Sequence, residues 1–143
     1  AVDSIHKELG HIMWEYVGMG RTEEGLKTAL KLLKDIRKEF ETNLFIPGST
    51  EGVNIELEKA LRLNDFITMG ELIAYDALNR NESCGGHFRE EYQTEEGEAK
   101  RDDENYFYVS CWEYQGSDDV APVLYKEPLV YEAIKVQTRN YKS

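Results

Sequence analysis

Between Asn54 and Asn81 the chain carries one long helical repeat whose inward-type residues fall on two stripes, and this limits the folds open to it. One stripe holds Leu57, Leu61, Thr68, Tyr75 and Leu78; the other holds Leu63, Phe66, Ile67, Gly70, Ile73, Ala74 and Ala77. As a helix this segment spans about 40 Å at 1.5 Å per residue. A surface helix ordinarily buries a single stripe, so a helix that is apolar on two sides needs two partners.

Two shorter helices precede it. Ser4 is a plausible N-cap for a helix over 4–17, in which Ile5, Leu9, Ile12, Met13, Tyr16 and Val17 recur at helical spacing. Gly18-Met19-Gly20 follows this helix, not a strand, and lacks a third glycine at the required place, so it reads as a helix stop rather than a dinucleotide loop. Thr22 caps a second helix over 23–41, with Glu23 and Glu24 in the first turn, where the helix dipole favours carboxylates. Leu26, Ala29, Leu30, Leu33, Ile36 and Phe40 give it an apolar stripe; Lys27, Lys31, Lys34, Arg37 and Lys38 read as its solvated face. The connections are short enough for an antiparallel three-helix bundle, which covers one side of the third helix.

The helical pattern ends at Glu82-Ser83-Cys84-Gly85-Gly86-His87-Phe88-Arg89-Glu90-Glu91, a junction that turns on a glycine pair. From Glu90 to Glu104 eight carboxylates stand against Lys100 and Arg101, which predicts a loop kept mobile by its own repulsion. Residues 106–114 are aromatic and β-branched, 115–119 punctuate, and 120–126 can return as the second strand of a hairpin closed by Pro128. Tyr131 to Val136 reads as one further extended piece. The predicted fold is mainly α: a three-helix bundle over 1–88, with an acidic loop, a small β-hairpin and an extended C-terminal tail over 89–143 packed on it. A hairpin by itself is marginal and must lie on something.

Composition narrows the partners. With 28 acidic against 17 basic residues the formal charge is −11, a surface that repels nucleic-acid phosphates and anionic lipid headgroups. No apolar run approaches the roughly 20 residues that span a bilayer, and the chain reads as soluble. Two cysteines, Cys84 and Cys111, without any Cys-x-x-Cys, favour reduced thiols in a reducing compartment and are too few for an iron–sulfur cluster. Asn81-Glu82-Ser83 matches a glycosylation sequon, which without a secretory signal reads as coincidence.

No self-contained catalyst emerges. His6 and His11 miss the four-residue spacing that puts two imidazoles on one helix face. His87 with Cys84 and Glu82 suggests a nucleophilic dyad, yet no oxyanion donor or orienting partner accompanies it. Walker, Gly-x-Gly-x-x-Gly and Gly-x-Ser-x-Gly motifs do not occur. No catalytic, cofactor-binding or metal-ligating residue is therefore assigned.

The junction carries a resemblance. Glu82-Ser83-Cys84-Gly85-Gly86-His87-Phe88-Arg89-Glu90-Glu91 resembles the Glu-Ser-Arg-Gly-Ala-His-x-Arg-x-Asp signature of the succinate dehydrogenase/fumarate reductase flavoprotein family, in the helical domain near its C-terminus. Arg101-Asp102-Asp103-Glu104-Asn105-Tyr106 is similar to the Arg-Asp-Asp-x-Asn-aromatic signature that follows it, Met13-Trp14 with Val17-Gly18 and Arg21-Thr22 to the family's first helix, and Val136-Gln137-Thr138-Arg139 to its tail. Cys84 stands where the family usually has Arg, and Gly86 where it usually has Ala.

The resemblance implies a fragment of a flavoprotein subunit that carries covalent FAD and interconverts succinate and fumarate. It implies an FAD-binding domain in the same chain, an iron–sulfur subunit as partner, and contact with a membrane only through a cytochrome b subunit, at the cytoplasmic face. L-Aspartate oxidase shares a similar helical domain. Ser83, Cys84, Gly85, Gly86, His87, Arg89, Arg101, Asp102, Asp103 and Asn105 become the expected docking residues, with His87 and Arg89 facing the flavin domain while Phe88 anchors into the bundle. The competing reading makes His87 and Arg89 helix-end residues that satisfy carbonyls of the third helix. A helical interaction module using its acidic loop on a basic partner is the alternative from a different class.

Overall fold

In the computed structural model the chain folds as three long helices, one helical turn and a two-stranded antiparallel sheet; residues 1–49 and 51–141 are described. Helix α1 spans Val2–Val17, α2 Glu23–Asn43 and α3 Ile55–Asn79. The mainly α architecture of bundle plus hairpin is the one the sequence predicts. Thr22 accepts from the Gly25 amide and Asn54 from the Leu57 amide, so the polar residues expected to open α2 and α3 do so. Ser4 is not the cap of α1, which begins two residues earlier.

Cross-links give the helix directions. Asp3 meets Lys59, His6 stacks on Phe66, and the Met13 sulfur lies against Gly70, so α1 and α3 run side by side in the same sense. A Cβ at Gly70 would stand 3.1 Å from that sulfur, so a larger residue at the crossing would make the Met13 side chain give way by a few tenths of an ångström. Helix α2 runs the opposite way. Leu9, Ile12, Leu26, Ala29, Leu33, Ile36, Leu63, Ile67 and Ala74 close the core between the three.

Two sequence expectations are corrected here. Arg37, assigned to the wet face of α2, is only 8% exposed and donates to Glu71 at 3.0 Å and to the Thr68 hydroxyl at 3.0 Å on α3. Thr68, placed on an inward stripe, is correspondingly at the rim. Tyr131–Val136, expected to be extended, forms no strand with any other described segment.

The sheet pairs β1, Tyr108–Glu113, with β2, Val123–Pro128, in a register that sets Tyr108 opposite Pro128 and Glu113 opposite Val123. Alternation turns Tyr108, Ser110 and Trp112 toward the bundle and Val109 and Cys111 away from it. Trp112 docks the sheet: its indole donates to Asp76 at 2.8 Å and packs edge-on to Tyr75. The acidic segment is folded back on itself by bonds between Thr94 and Glu98 and from the Lys100 amide to the Tyr92 carbonyl, with Gly97 at φ 81° supplying the reversal.

Candidate functional site: the junction at the end of α3

Helix α3 ends with carbonyls that have no intrahelical donor and no basic residue in its last turn. The junction supplies what is missing. Cys84 and His87 exchange both backbone hydrogen bonds, at 2.8 and 3.0 Å, across Gly85-Gly86. Gly85 at φ 58° takes the first central position, where a tight hairpin turn needs a residue without a Cβ. The chain then returns past α3, and its backbone pairs with Arg21: the Arg21 amide donates to Phe88 at 2.9 Å and the Glu90 amide to Arg21 at 2.8 Å.

This return puts His87 and Arg89, two apart on extended backbone, on the same side. That side faces α3. Arg89 is 1% exposed; its Nη1 donates to the carbonyls of Ala77 and Leu78 at 3.1 and 3.2 Å, and its Nε to Glu91 at 3.1 Å. Glu91 in turn accepts from the Glu23 amide at the start of α2. Burial would raise the Glu91 pKa, but that amide and the Arg89 guanidinium hold it below the usual carboxylate range. The expectation that Arg89 points outward is thus corrected: orphaned helix-end carbonyls are the stronger attraction for a guanidinium than an open surface. Phe88 is half-buried on the opposite side.

His87 is half-buried and its tautomer is determined by its partners. Arg21 has only donors, so Nδ1 accepts from its Nη1 at 2.8 Å, and Nε2 carries the proton donated to the Arg80 carbonyl at 2.8 Å. Burial lowers the His87 pKa, and the guanidiniums of Arg21, Arg89 and Arg80 press it the same way against the Arg80 carbonyl bond. The imidazole is held neutral. Beside it Cys84 is exposed, with its thiol pushed up by partial burial and by Glu82, the opposite of an activated nucleophile. His87, Cys84 and Glu82 therefore form no nucleophilic dyad.

The remaining motif residues tie the junction to the second signature. Ser83 is fully buried; its hydroxyl accepts from the Arg89 amide and donates to the Arg89 carbonyl. Glu82, also buried, accepts from Arg80 at 2.8 Å and from the Asp102 amide at 2.9 Å. Asp102 caps a single helical turn, Asp103–Tyr106, by accepting from the Asn105 amide and side chain, while Arg101 grips Asp103 with two bonds and donates to Gln137 in the tail. That turn, α4, falls where the sequence predicts loop; an Asp three residues before an Asn is the capping spacing that signals it. Arg80, not among the expected residues, is the hub: it reaches Glu82, Tyr106, Tyr108 and Ser110 and lies over the Tyr108 ring at 5.0 Å.

Residues 6–141 match the model of the family described as fumarate reductase flavoprotein C-term. The chain belongs to this family. Among relatives of the fumarate reductase flavoprotein C-terminal domain, it is 30% identical over 102 residues to the fumarate reductase flavoprotein subunit of Proteus vulgaris, covering 71% of this chain and 16% of that one. It is 37% identical over 88 residues to L-aspartate oxidase 2-b of Nicotiana tabacum, covering 62% of this chain and 13% of the relative. The structure of Mycobacterium smegmatis Sdh1 in complex with UQ1 aligns with a TM-score of 0.75 at 26% identity, over 90% of this chain and 20% of that chain. The chain thus spans between about an eighth and a sixth of the length of these two curated relatives. Among the described residues no helix is long and apolar enough to cross a membrane.

Proposed function

We propose that this chain is the C-terminal domain of a longer FAD-dependent flavoprotein that interconverts succinate and fumarate, and that the domain docks the FAD-binding part of the same polypeptide without supplying a catalytic group. The observation that carries the reading is how the motif residues are used. Ser83, His87 and Arg89 bind the backbone of their own domain, so the signature acts as a brace that fixes the end of α3, and its polar groups are committed before any substrate arrives. The exposed part of the junction, Cys84-Gly85-Gly86 with Asp103 and Asn105, is left to meet other parts of the protein.

In this reading FAD is bound wholly outside residues 1–143. An iron–sulfur subunit takes or delivers the electrons, and a cytochrome b subunit holds the complex at the cytoplasmic face of the membrane. A second reading, an L-aspartate oxidase, is favoured by the 37% identity to the tobacco enzyme. Expression of the complete coding sequence separates the two. The expected product carries flavin, has a strand-Gly-x-Gly-x-x-Gly-helix unit upstream of Ala1 and reduces fumarate with a reduced viologen dye. Oxidation of L-aspartate in place of fumarate reduction establishes the second reading, and a polypeptide without flavin overturns both.

A further inference from the structure

Arg21 differs from the other guanidiniums around the junction. Arg80, Arg89 and Arg101 each have a carboxylate of their own, at 2.8, 3.1 and 2.8 Å. Arg21 has only neutral acceptors, the Val17 carbonyl at 3.2 Å and His87 Nδ1 at 2.8 Å, and makes no ion pair among the described residues. The carboxylate that acts on it is Asp76, which is engaged by the Trp112 indole at 2.8 Å. Half-burial works against the charged form of Arg21, and Asp76 only partly offsets it. A half-buried cation without a counter-ion is the situation folded proteins resolve by supplying one.

Arg21 lines an open cleft of about 540 Å³ together with Ile73, Asp76, Arg80, His87 and Val109. Leading into it along α3 are Phe66, Met69 and Ile73, spaced as one stripe and all exposed, with Tyr108, Ser110 and Trp112 on the opposite wall. Phe66 and Ile73 belong to the stripe whose other members, Leu63, Ile67, Gly70, Ala74 and Ala77, are buried in the bundle, and Met69 lies beside them at its open edge. The lining of the cleft sets two guanidiniums and an imidazole against the single carboxylate of Asp76, with apolar side chains at the border, a local excess of cations in a chain with net charge −11.

We propose that this cleft receives an Asp or Glu side chain, flanked by apolar residues, from the part of the polypeptide outside residues 1–143, with the carboxylate closing on the Arg21 guanidinium. The inference rests on the reading of the chain as one domain of a longer flavoprotein. Charge complementarity selects the occupant. A second copy of this domain would bring two strongly acidic bodies together with like guanidiniums at the centre, and a small free carboxylate would leave Phe66 and Met69 bare.

The test uses the complete polypeptide carrying Arg21→Lys, treated with a carbodiimide that joins an amine directly to a carboxylate in contact with it, followed by peptide mapping. The expected result is a link from position 21 to an Asp or Glu outside residues 1–143. A link only to Asp76 or another carboxylate of this domain, a link between two copies, a link abolished by millimolar succinate, or no link while control lysines react, overturns the proposal. Met69→Asp with Ile73→Asp is the second variant, since both side chains are exposed and support no core. It should leave the far-ultraviolet circular dichroism unchanged while speeding proteolytic release of the domain about tenfold; unchanged release overturns the proposal. Flavin content and fumarate reduction, measured on the same preparations, report on the flavoprotein reading separately, so either idea can fail alone.

Discussion

The Ser83 hydroxyl clasps the backbone of Arg89 from both sides, accepting from its amide at 2.8 Å and donating to its carbonyl at 3.1 Å. Both residues are buried, so neither bond can be replaced by water from bulk. Ser83→Ala leaves the buried Arg89 amide unsatisfied, while its carbonyl keeps the Tyr92 amide, and is expected to destabilise the chain by about 1–3 kcal/mol, read from urea unfolding midpoints. Ser83→Cys, which keeps a weak donor of similar shape, should cost less.

Removing the Arg89 side chain strips the Ala77 and Leu78 carbonyls of their donor and leaves Glu91 facing α2 without its cation. Arg89→Ala is expected to cost about 3 kcal/mol, near the lower end for breaking a buried pair because Glu91 is partly exposed. Arg89→Lys keeps the charge but cannot fork between a carboxylate and two carbonyls, and should recover less than half of that loss.

The imidazole of His87 carries a linked pH dependence. Its folded pKa lies below the ordinary 6.5, so in the window below that value the unfolded chain binds more protons than the folded one. The contribution is present in full above the unfolded value and is lost progressively as pH falls from about 7 toward the folded pKa. Stability of the native chain should therefore decline more steeply between pH 7 and 5 than that of His87→Gln, measured by unfolding at fixed ionic strength. Parallel curves for the two proteins would refute the assignment of His87 as a neutral acceptor for Arg21.

Cys84 sits in the open at the tip of the junction, yet its thiol is held above the ordinary thiol range by partial burial and by Glu82. Alkylation at pH 7 should run several-fold slower at Cys84 than for a free thiol. Glu82→Gln should speed it, and the two rates can be followed by mass spectrometry of the modified peptide.

Trp112 is the anchor of the sheet. Trp112→Phe keeps the ring against Tyr75 but deletes the N–H bonded to Asp76, and is expected to cost about 1–2 kcal/mol. Trp112→Ala also removes the packing and should release the hairpin, seen as faster amide exchange at Tyr108–Glu113 than in α1.

What the sequence made legible was periodic or capped. Thr22 and Asn54 mark the two helix starts where they occur, and of the two stripes of α3 the one holding Leu63, Ile67, Gly70, Ala74 and Ala77 is buried while Leu61 and Thr68 of the other stand exposed. Arg37 was misplaced because charge outweighed position: it stands four residues after Leu33 and three before Phe40, on the buried stripe itself, and only Glu71 and Thr68 on another helix make that tolerable. The inward turn of Arg89 was hidden for a different reason. Its partners are the carbonyls of Ala77 and Leu78, and backbone carbonyls are the same at every position, so no side-chain pattern advertises which of them lack a donor. Arg80 escaped notice because its role depends on where three later segments return.

The parallel pairing of Arg21 with Phe88 and Glu90 joins stretches separated by nearly half the chain. Loop closure of that span is an entropic cost that a preformed α2–α3 pair reduces, so this stitch is expected to close after the helices have docked. The last turn of α3 must therefore wait for residues 83–91 before its carbonyls are satisfied. A chain cut after Asn81 would keep three helices but carry a frayed end, and any segment that competes for Arg21 would arrest folding one step before completion.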